Sequence, residues 1–200
     1  ENFNKGMDGI YPIVAGAVDG ERKKRLLEHI KNPKEMWSAA GVSAVDMSAS
    51  YYFDDGYWNG NVWMSHQWFI WKTMLDNGEA DFAFDIAKRA LDMWKDETDF
   101  TYNTYECFGI ATKRGGWFHN FGGLSAPICI WANAYFKPQT VTTGFDVWTN
   151  YQKTSDIGAE VKFKYFGNCD KYTMVVTLSD KADYVAYLDG EKVDFNERNK

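Results

Sequence analysis

Residues 62–94 read VWMSHQWFIWKTMLDNGEADFAFDIAKRALDMW, and this stretch decides the fold. Its first part, from Val62 to Leu75, has apolar residues on every side, which is typical of a helix buried inside a protein. Asp76-Asn77-Gly78 follows as a helix stop, because glycine is the preferred residue just after a C-cap. From Glu79 to Trp94 the apolar residues recur at helical spacing on one face only, which predicts an outer amphipathic helix. An inner helix followed by an outer one predicts two concentric layers of helices.

Further helices are expected on both sides of this pair. Apolar residues at helical spacing follow Asp19, a candidate N-cap, and Asn32-Pro33 ends that pattern. A short helical piece is expected from Pro33 to Ala39. The run from Leu124 to Phe136 is nearly all apolar or small, with Pro127 tolerable in a first helical turn, so it predicts another inner helix. The long aromatic loops between the helices would then collect at one rim.

The pattern changes to a period of two after Pro138. Residues 159–166 alternate apolar and charged side chains, and residues 172–178 are rich in β-branched residues. Two short apolar runs flank Asp189-Gly190, which predicts a hairpin with a type I′ turn. The chain is therefore expected to be mainly α, with a helical part over residues 1–138 and a small antiparallel β-domain over residues 139–200. We interpret the β-domain as structural. The alternative is a sugar-binding module that would use Trp148, Tyr151 and Tyr165.

Charge and cysteine content exclude several classes of function. The net charge of −6 and the pI near 5.1 argue against nucleic acid or an anionic membrane as a partner. The apolar stretch from Tyr11 to Val18 is too short to span a bilayer. Three cysteines cannot build a disulfide framework, and none has the spacing of a zinc site. Cys107 is expected to be a buried thiol rather than a nucleophile. Since the chain begins at Glu1 and shows no signal peptide, we interpret it as a mature or excised segment.

The aromatic content indicates a sugar-binding surface. Aromatic residues make up 18% of the chain, more than a core of this size needs. Flat rings beside carboxylates and amides suit sugars, whose faces carry C–H groups and whose rims carry hydroxyls. Tyr105-Glu106 places a candidate proton-transfer group downstream of the aromatic segment from Tyr57 to Trp63. This combination favours a carbohydrate-active enzyme, although for any single tryptophan a place in the core is the ordinary alternative.

Blocks across residues 9–136 resemble, in order, the (α/α)6-barrel glycoside hydrolases. The resemblance is strongest to the α-glucosidase family that includes processing glucosidase I and its bacterial relatives, and trehalases are more distant. Residues 56–63, GYWNGNVW, are similar to the family's G-Y-W-R-G-x-V-W. The other matching blocks are Gly9–Gly16, Leu26–Ile30, Met36-Trp37, Gly41–Ser43, the helix from Trp68-Phe69 to Gly78, Tyr105–Phe108, Asn120-Phe121 and Ser125-Ala126.

The resemblance implies an inverting hydrolase in which Glu106 is the general base. Such an enzyme needs a second carboxyl group as general acid, about 6.5–9.5 Å away, and the family places it upstream of the part matched here. Asp54 and Asp55 are the nearest substitutes in this chain, but loop carboxylates more often orient substrate hydroxyls or cap a helix. No metal or cofactor is implied.

The same resemblance implies a sugar pocket around the aromatic motif. Trp58 and Trp63 would form its walls, and Trp117 and His119 would contribute from the loop after the base. A structural role is the alternative for Trp63 and His119. Two positions depart from the family: Asn59 stands where arginine is usual, and Gly123 stands where an aromatic residue is frequent. The change at Asn59 replaces a cationic donor by a neutral amide, so a different specificity is expected. Asp55 is a further candidate for substrate contact.

The helical part of this chain is too short to form a complete (α/α)6 barrel. A closed double ring needs about twelve helices of roughly 11–12 residues each, which 138 residues cannot supply. We therefore expect the remainder of the barrel to come from a longer parent chain or a complementary chain, with an oligosaccharide as substrate. Two other classes stay open: a non-catalytic carbohydrate-binding or scaffold protein, and a different helical-barrel enzyme such as a phosphorylase or lyase.

Overall fold

Five α-helices and ten short strands follow one another in residues 5–179 and 182–198, which the computed structural model describes. The helices are α1 (Tyr11–Val14), α2 (Gly20–Lys31), α3 (Met64–Asp76), α4 (Ala80–Thr101) and α5 (Gly122–Phe136). Helix α3 packs on both α4 and α5, which also contact each other. About 36% of the chain is helical and 23% is strand, so helices dominate as expected.

Helix α3 is the buried helix that its composition predicts. It begins at Met64, and its residues Ile70, Trp71, Met74 and Leu75 are each at most 2% exposed. Gly78 follows it with a φ of +70°, the left-handed backbone that glycine adopts without strain. The N–H of Gly78 donates to the carbonyl of Leu75, and the N–H of Glu79 donates to that of Met74. This is a Schellman motif, so the predicted helix stop is confirmed.

Helix α4 is amphipathic, as predicted, and longer than predicted. It continues past Trp94 to Thr101, and its buried face carries Phe82, Ala83, Ile86, Ala87, Ala90, Met93 and Glu97. The opposite face is polar and exposed. In the described part of the chain, no helix combines the length and apolar character needed to cross a bilayer.

The expected helical piece from Pro33 to Ala39 is wrong. The carbonyl of Asn32 accepts hydrogen bonds from the N–H groups of Glu35, Met36 and Trp37, so the chain turns tightly around it. Strand β1 (Trp37–Ser38) then pairs with β2 (Gly41–Val42) in antiparallel fashion. Gly41 has a φ of +135°, which closes this small hairpin in a backbone conformation that other residues rarely adopt.

Helix α5 is buried on one side only, although its sequence predicts an inner helix. It begins at Gly122, so Pro127 lies in its second turn rather than its first. Ser125, Pro127, Ile128, Trp131 and Ala134 are buried. The other side exposes apolar residues, including Ile130 at 40% and Phe136 at 47%.

The strands form separate two-stranded antiparallel ladders. Among them, β3 (Tyr105–Phe108) pairs with β4 (Gly115–His119). After Pro138, β5 (Thr140–Thr142) pairs with β8 (Val175–Thr177), β6 (Val147–Ser155) with β7 (Gly158–Tyr165), and β9 (Ala186–Leu188) with β10 (Glu191–Val193). The predicted turn is present, since Asp189 and Gly190 both have positive φ values, 51° and 88°. The strands after Pro138 are antiparallel as predicted, and in the described residues they make three two-stranded ladders.

Asp76, at the end of α3, ties the helices to the β-rich part. Its carboxylate accepts the backbone N–H groups of Phe145 at 2.8 Å and Asp146 at 3.0 Å, and the residue is 5% exposed. Gly144 lies so close that an added Cβ would sit 1.8 Å from an oxygen of Asp76. The segment before β6 is therefore held against the end of α3 by a buried carboxylate.

Replacing Asp76 with alanine should destabilise the protein by about 1–3 kcal/mol, because two partly buried N–H groups lose their acceptor. Chemical denaturation monitored by tryptophan fluorescence would measure this loss. Asp92→Ala is the matched control, since Asp92 is exposed and pairs with Lys88 one turn earlier; it should cost less than about 0.5 kcal/mol. Equal effects of the two substitutions would contradict the structural role of Asp76.

Candidate active site

The aromatic motif and the strand of Glu106 lie side by side. The N–H of Val62 donates to the carbonyl of Phe108 at 2.8 Å, and the N–H of Phe108 donates back to Val62 at 2.9 Å. This pair of hydrogen bonds attaches the end of the motif to β3. The motif loop and Glu106 are distant in sequence, and this bridge brings them to one place.

Glu106 is buried, and only one of its two carboxylate oxygens has a hydrogen-bond partner among the described residues. The residue is 7% exposed, and its Oε1 accepts a hydrogen bond from the hydroxyl of Tyr57. Its Oε2 is buried and has no hydrogen-bond partner among the described residues. No described lysine, arginine or histidine forms an ion pair with it. A buried acceptor without a partner costs free energy, and such exceptions occur at functional sites where water or a ligand binds.

Tyr57 is the residue that sequence reasoning missed. The hydrogen bond to Glu106, together with burial and the nearby negative charge, raises the pKa of Tyr57 to about 12. Tyr57 therefore stays protonated and remains a donor at neutral pH. Its own backbone carbonyl accepts a hydrogen bond from the indole Nε1 of Trp63 at 3.0 Å. The motif contained the signal, since Tyr57 is its second residue, but nothing in the spacing showed that it would reach Glu106.

Two tryptophans of the motif stack on each other. The rings of Trp58 and Trp63 are parallel within 2° and 3.8 Å apart between centroids. Trp58 is 53% exposed, whereas Trp63 is 2% exposed. In this structure Trp58 and the core cover Trp63, which is the arrangement of the structural alternative for this residue. Trp63 supports Trp58, whose outer surface remains open.

Asn59 makes hydrogen bonds within the motif loop. Its side-chain amide donates to the carbonyl of Tyr51 at 2.8 Å, and its backbone carbonyl accepts the N–H of Phe53 at 3.0 Å. Its Oδ1 also lies against Gly56, where an added Cβ would come within 2.4 Å. The side chain of Asn59 thus holds the loop closed, and its contact with substrate stays a prediction.

Trp117 and Asp55 line an open cavity of about 230 Å³ beside the aromatic motif. Trp117 is 58% exposed, and its ring centroid lies 4.6 Å from that of Tyr57. The other residues of the cavity wall are Asn61, Gly109, Thr112, Arg114, Gly115 and Gly116. Glu106 does not line this cavity; Tyr57 connects the two, since it contacts Trp117 and hydrogen-bonds Glu106.

Two histidines lie near the motif in different environments. His119 is exposed on β4 opposite Tyr105, and none of the described hydrogen bonds or ring contacts joins it to Glu106 or Trp58. His66, which sequence reasoning did not select, meets the ring of Trp58 edge-on at 5.7 Å and hydrogen-bonds the hydroxyl of Tyr11. Burial lowers the pKa of His66, only partly offset by Asp8, so its ring is neutral at pH 7.

Cys107 and one cluster of possible metal ligands among the described residues are further candidates for chemistry. Burial raises the pKa of Cys107 to about 11, so it is a thiol and a poor nucleophile, as expected. In the described residues, His29, Glu35 and Asp46 bring possible metal ligands within 4.8 Å of one another. The two ring nitrogens of His29 face different carboxylates, however, at 3.1 Å and 3.9 Å. The ammonium of Lys5 already lies 3.4 Å from Asp46, so that carboxylate is part of an ion pair.

An ion pair between the buried carboxylate of Glu97 and the half-exposed side chain of Arg114 fixes the hairpin that carries Glu106. Glu97 on α4 is 2% exposed and accepts hydrogen bonds from Nε of Arg114 at 2.5 Å and the N–H of Gly115 at 3.0 Å. Burial alone would raise the pKa of Glu97, but the hydrogen bonds and charge of Arg114 outweigh it and lower the pKa. The loop between β3 and β4 is thus anchored on α4.

Replacing Glu97 with glutamine should cost about 1–3 kcal/mol of stability at pH 7, because the charged hydrogen bonds to Arg114 weaken. A carboxyl group with a lowered folded pKa stabilises the protein above its unfolded pKa of about 4.3, and this contribution disappears as pH falls through the folded value. Melting temperatures between pH 7 and pH 3 should therefore drop less in Glu97→Gln than in the native protein. Parallel curves would contradict this role.

Comparison with known proteins identifies a family for most of this site. The model of the mannosylglycerate hydrolase MGH1-like glycoside hydrolase domain matches residues 4–115. The matched range includes the aromatic motif and Glu106, and it ends before Trp117. A probable mannosyl-oligosaccharide glucosidase of Schizosaccharomyces pombe is 27% identical over 77 residues, which are 37% of this chain and 10% of that protein.

Solved structures share the fold. An uncharacterized conserved protein from Thermus thermophilus superimposes with a TM-score of 0.57 and 22% identity, over 64% of this chain and 32% of that one. A GH63 mannosylglycerate hydrolase from the same organism, in complex with glucose, gives a TM-score of 0.55 and 22% identity over 64% and 29% of the two chains. The chain thus spans about a third of these structures and a tenth of the curated relative.

Proposed function

The chain belongs to the mannosylglycerate hydrolase MGH1-like glycoside hydrolase family, and from that premise we propose that it carries the catalytic base of an inverting, α-glucosidase-like glycoside hydrolase. The reaction is the hydrolysis of a glycosidic bond in an oligosaccharide. Glu106 accepts a proton from the attacking water, on the face of the sugar opposite the leaving group. The chemistry uses carboxyl groups alone and needs no metal or cofactor.

The half-satisfied carboxylate of Glu106 carries this proposal. One oxygen is held by Tyr57, and the other is a buried acceptor without a described partner. A general base must keep one oxygen for the proton that it removes, while the rest of the group is fixed in orientation. The absence of an ion pair with any described cation also suits a base, because a paired carboxylate is a poorer proton acceptor.

The exposed ring of Trp58 supplies the sugar-binding surface in this proposal. It lies on Trp63, so its orientation is fixed, and its outer face is open. A rigid aromatic face binds the C–H side of a sugar without a large entropy cost. Trp117 and Asp55, which line the neighbouring cavity, would contact adjacent parts of the oligosaccharide. His119 does not line this cavity, and it would contact the sugar only in the pocket of the complete enzyme.

The general acid and the remaining helices come from outside these 200 residues in our proposal. Three observations support this. The chain covers only about a third of the solved structures it resembles. Helix α5 exposes an apolar side where a second part of an (α/α)6 barrel would pack. Glu106 is the carboxylate that Tyr57 of the aromatic motif hydrogen-bonds. Asp54, one of the two nearest candidates for the acid in this chain, instead accepts a hydrogen bond from Tyr52.

Proton NMR of the first product formed by the complete enzyme tests the proposed function. An α-linked gluco-oligosaccharide should release the β-anomer first, since water attacks from the opposite face. Release of the α-anomer would exclude inversion. Tight binding without any reducing ends would favour a carbohydrate-binding or scaffold protein. A requirement for phosphate, or an unsaturated product, would favour a phosphorylase or a lyase.

Replacing Tyr57 with phenylalanine in the complete enzyme should lower kcat by about tenfold while KM changes little. The phenyl ring keeps the contacts with Trp58, Trp63 and Trp117, but the carboxylate of Glu106 loses the donor that orients it. Steady-state kinetics separate the two parameters. A rise in KM at constant kcat would show that Tyr57 binds substrate instead of positioning the base.

A further inference from the structure

One face of the β6–β7 ladder exposes three aromatic rings. Trp148 is 64% exposed, Phe166 is 61% exposed and Tyr151 is 42% exposed. The rings of Trp148 and Phe166 meet at 5.2 Å between centroids. Large aromatic side chains that cluster on an exposed surface mark interaction sites more often than single exposed residues do.

Lysines alternate with these rings. In the register of the ladder, Trp148 lies opposite Lys164 and Tyr151 lies opposite Lys162. Directly opposite residues share one face of a sheet, and the ammonium of Lys162 lies 5.3 Å from the ring of Tyr151. We call the surface formed by Trp148, Tyr151, Lys162, Lys164 and Phe166 the aromatic–lysine face.

The opposite face of the ladder is already occupied. Tyr165 stacks on Tyr172 at 4.7 Å, and its hydroxyl donates to the carbonyl of Cys169 at 2.9 Å. Phe163 meets the same Tyr172 ring at 5.8 Å. Tyr165 therefore serves the packing of the ladder and does not join Trp148 and Tyr151, contrary to the expected set. Phe166 takes its place on the exposed side.

The charge of the aromatic–lysine face differs from that of the whole chain. The chain carries a net charge of −6. On this face Lys153 lies opposite Glu160, so those two charges offset each other. Lys162 and Lys164 are left beside the rings and are both exposed. A positive patch on an acidic protein attracts an anionic ligand locally without making the whole molecule bind anions.

We propose that the aromatic–lysine face is a binding site for a carboxylated glycan, such as a polymer of uronic acid. The rings accept the C–H faces of successive sugars, and the two ammonium groups pair with their carboxylates. This site is separate in sequence from Glu106 and the aromatic motif. Binding of a glycan there does not depend on the proposed hydrolysis.

The hairpin turn argues against an anionic membrane as the occupant. Asp156 lies in the turn between β6 and β7 and accepts hydrogen bonds from Ser179 at 2.9 Å and Gln139 at 2.7 Å. These hydrogen bonds lower the pKa of Asp156 and keep it ionised. A fixed negative charge at the tip of the ladder would be repelled by the anionic headgroups of a bilayer, which is broad enough to cover the tip together with the rings.

Isothermal titration calorimetry of the complete protein tests the site with three probes. Oligogalacturonate should bind, and raising the salt concentration should weaken its binding because the ammonium–carboxylate attraction is screened. Malto-oligosaccharide, a neutral glucan, and vesicles of mixed phosphatidylcholine and phosphatidylglycerol should bind at least about tenfold more weakly or not at all. Equal affinity for the neutral glucan would overturn carboxylate recognition, and binding to vesicles without binding to oligogalacturonate would replace the site with a membrane contact.

Three variants locate the binding. Trp148→Ala and Lys164→Glu should each weaken oligogalacturonate binding by about tenfold or more. Lys153→Ala is the matched control and should retain it within about twofold, because Lys153 faces Glu160. Trp148→Ala should leave the rate of hydrolysis of a small glycoside unchanged, which separates this site from the catalytic one. Unaltered binding in both Trp148→Ala and Lys164→Glu would overturn the proposal.

Discussion

Replacing Glu106 with glutamine in the complete enzyme should reduce turnover by about 10²–10⁴, the usual cost of losing a general base. Glutamine has nearly the same shape and keeps an oxygen that can accept the hydrogen bond from Tyr57. It cannot accept a proton from water, because an amide is not a base at neutral pH. The loss should appear in kcat, with substrate affinity nearly preserved.

A matched control separates chemistry from folding in this experiment. Glu160→Gln removes an exposed carboxylate on β7 and should leave turnover unchanged. Circular dichroism should show the same melting temperature for Glu106→Gln as for the native enzyme within a few degrees, since both partners of the hydrogen bond remain. Turnover within a few-fold of the native value would remove Glu106 from the proposed role.

Replacing Gly60 with alanine should be the most damaging substitution in the aromatic motif. An added Cβ would lie 1.8 Å from the carbonyl oxygen of Phe53 and 3.0 Å from the backbone nitrogen of Gly56. Those atoms belong to a loop closed by hydrogen bonds. The N–H of Gly56 donates to the carbonyl of Phe53 at 2.8 Å, and the N–H of Asn61 donates to the carbonyl of Gly56 at 2.8 Å. Backbone atoms cannot move aside without breaking these bonds, so we expect a loss on the order of 3 kcal/mol.

Denaturation midpoints and activity measure that effect. Gly123→Ala is the control, because nothing lies within 4 Å of an added Cβ there and alanine favours the helix. It should be neutral or slightly stabilising. Because Gly60 supports the loop of Tyr57 and Trp58, Gly60→Ala should also lose most of its turnover. A Gly60→Ala protein as stable and active as Gly123→Ala would show that the loop is not closed as described.

The helices were largely predictable because their signals are local. Apolar residues on all sides identified α3, one-sided periodicity identified α4, and Gly78 marked the boundary between them. The helix predicted after Asn32 is absent, because the chain there forms a tight turn in which three N–H groups donate to the carbonyl of Asn32. The β3–β4 hairpin was not predicted, because its strands are short and its pairing includes a bulge between Tyr105 and Cys107.

The candidate site was predictable in composition and not in geometry. The sequence placed Glu106 and Trp58 together through resemblance, but the hydrogen bond between Tyr57 and Glu106 joins residues 49 positions apart. Periodicity carries no information on such a distant contact. For Trp63 the sequence left a pocket wall and a structural role open, and only packing shows that Trp58 covers it. Tyr165 likewise differs from Phe166 because adjacent strand residues point to opposite faces.

Azide added to a Glu106→Ala variant of the complete enzyme, with an activated α-glucoside as substrate, tests the central claim most directly. Removing the side chain opens the place where the base acts, and azide is a nucleophile that needs no base to deprotonate it. The proposed role predicts low activity without azide, recovery with azide, and a β-glucosyl azide product. A variant that hydrolyses the substrate at near-native rates without azide, or that forms the α-glucosyl azide, would contradict the role of Glu106 as the inverting base.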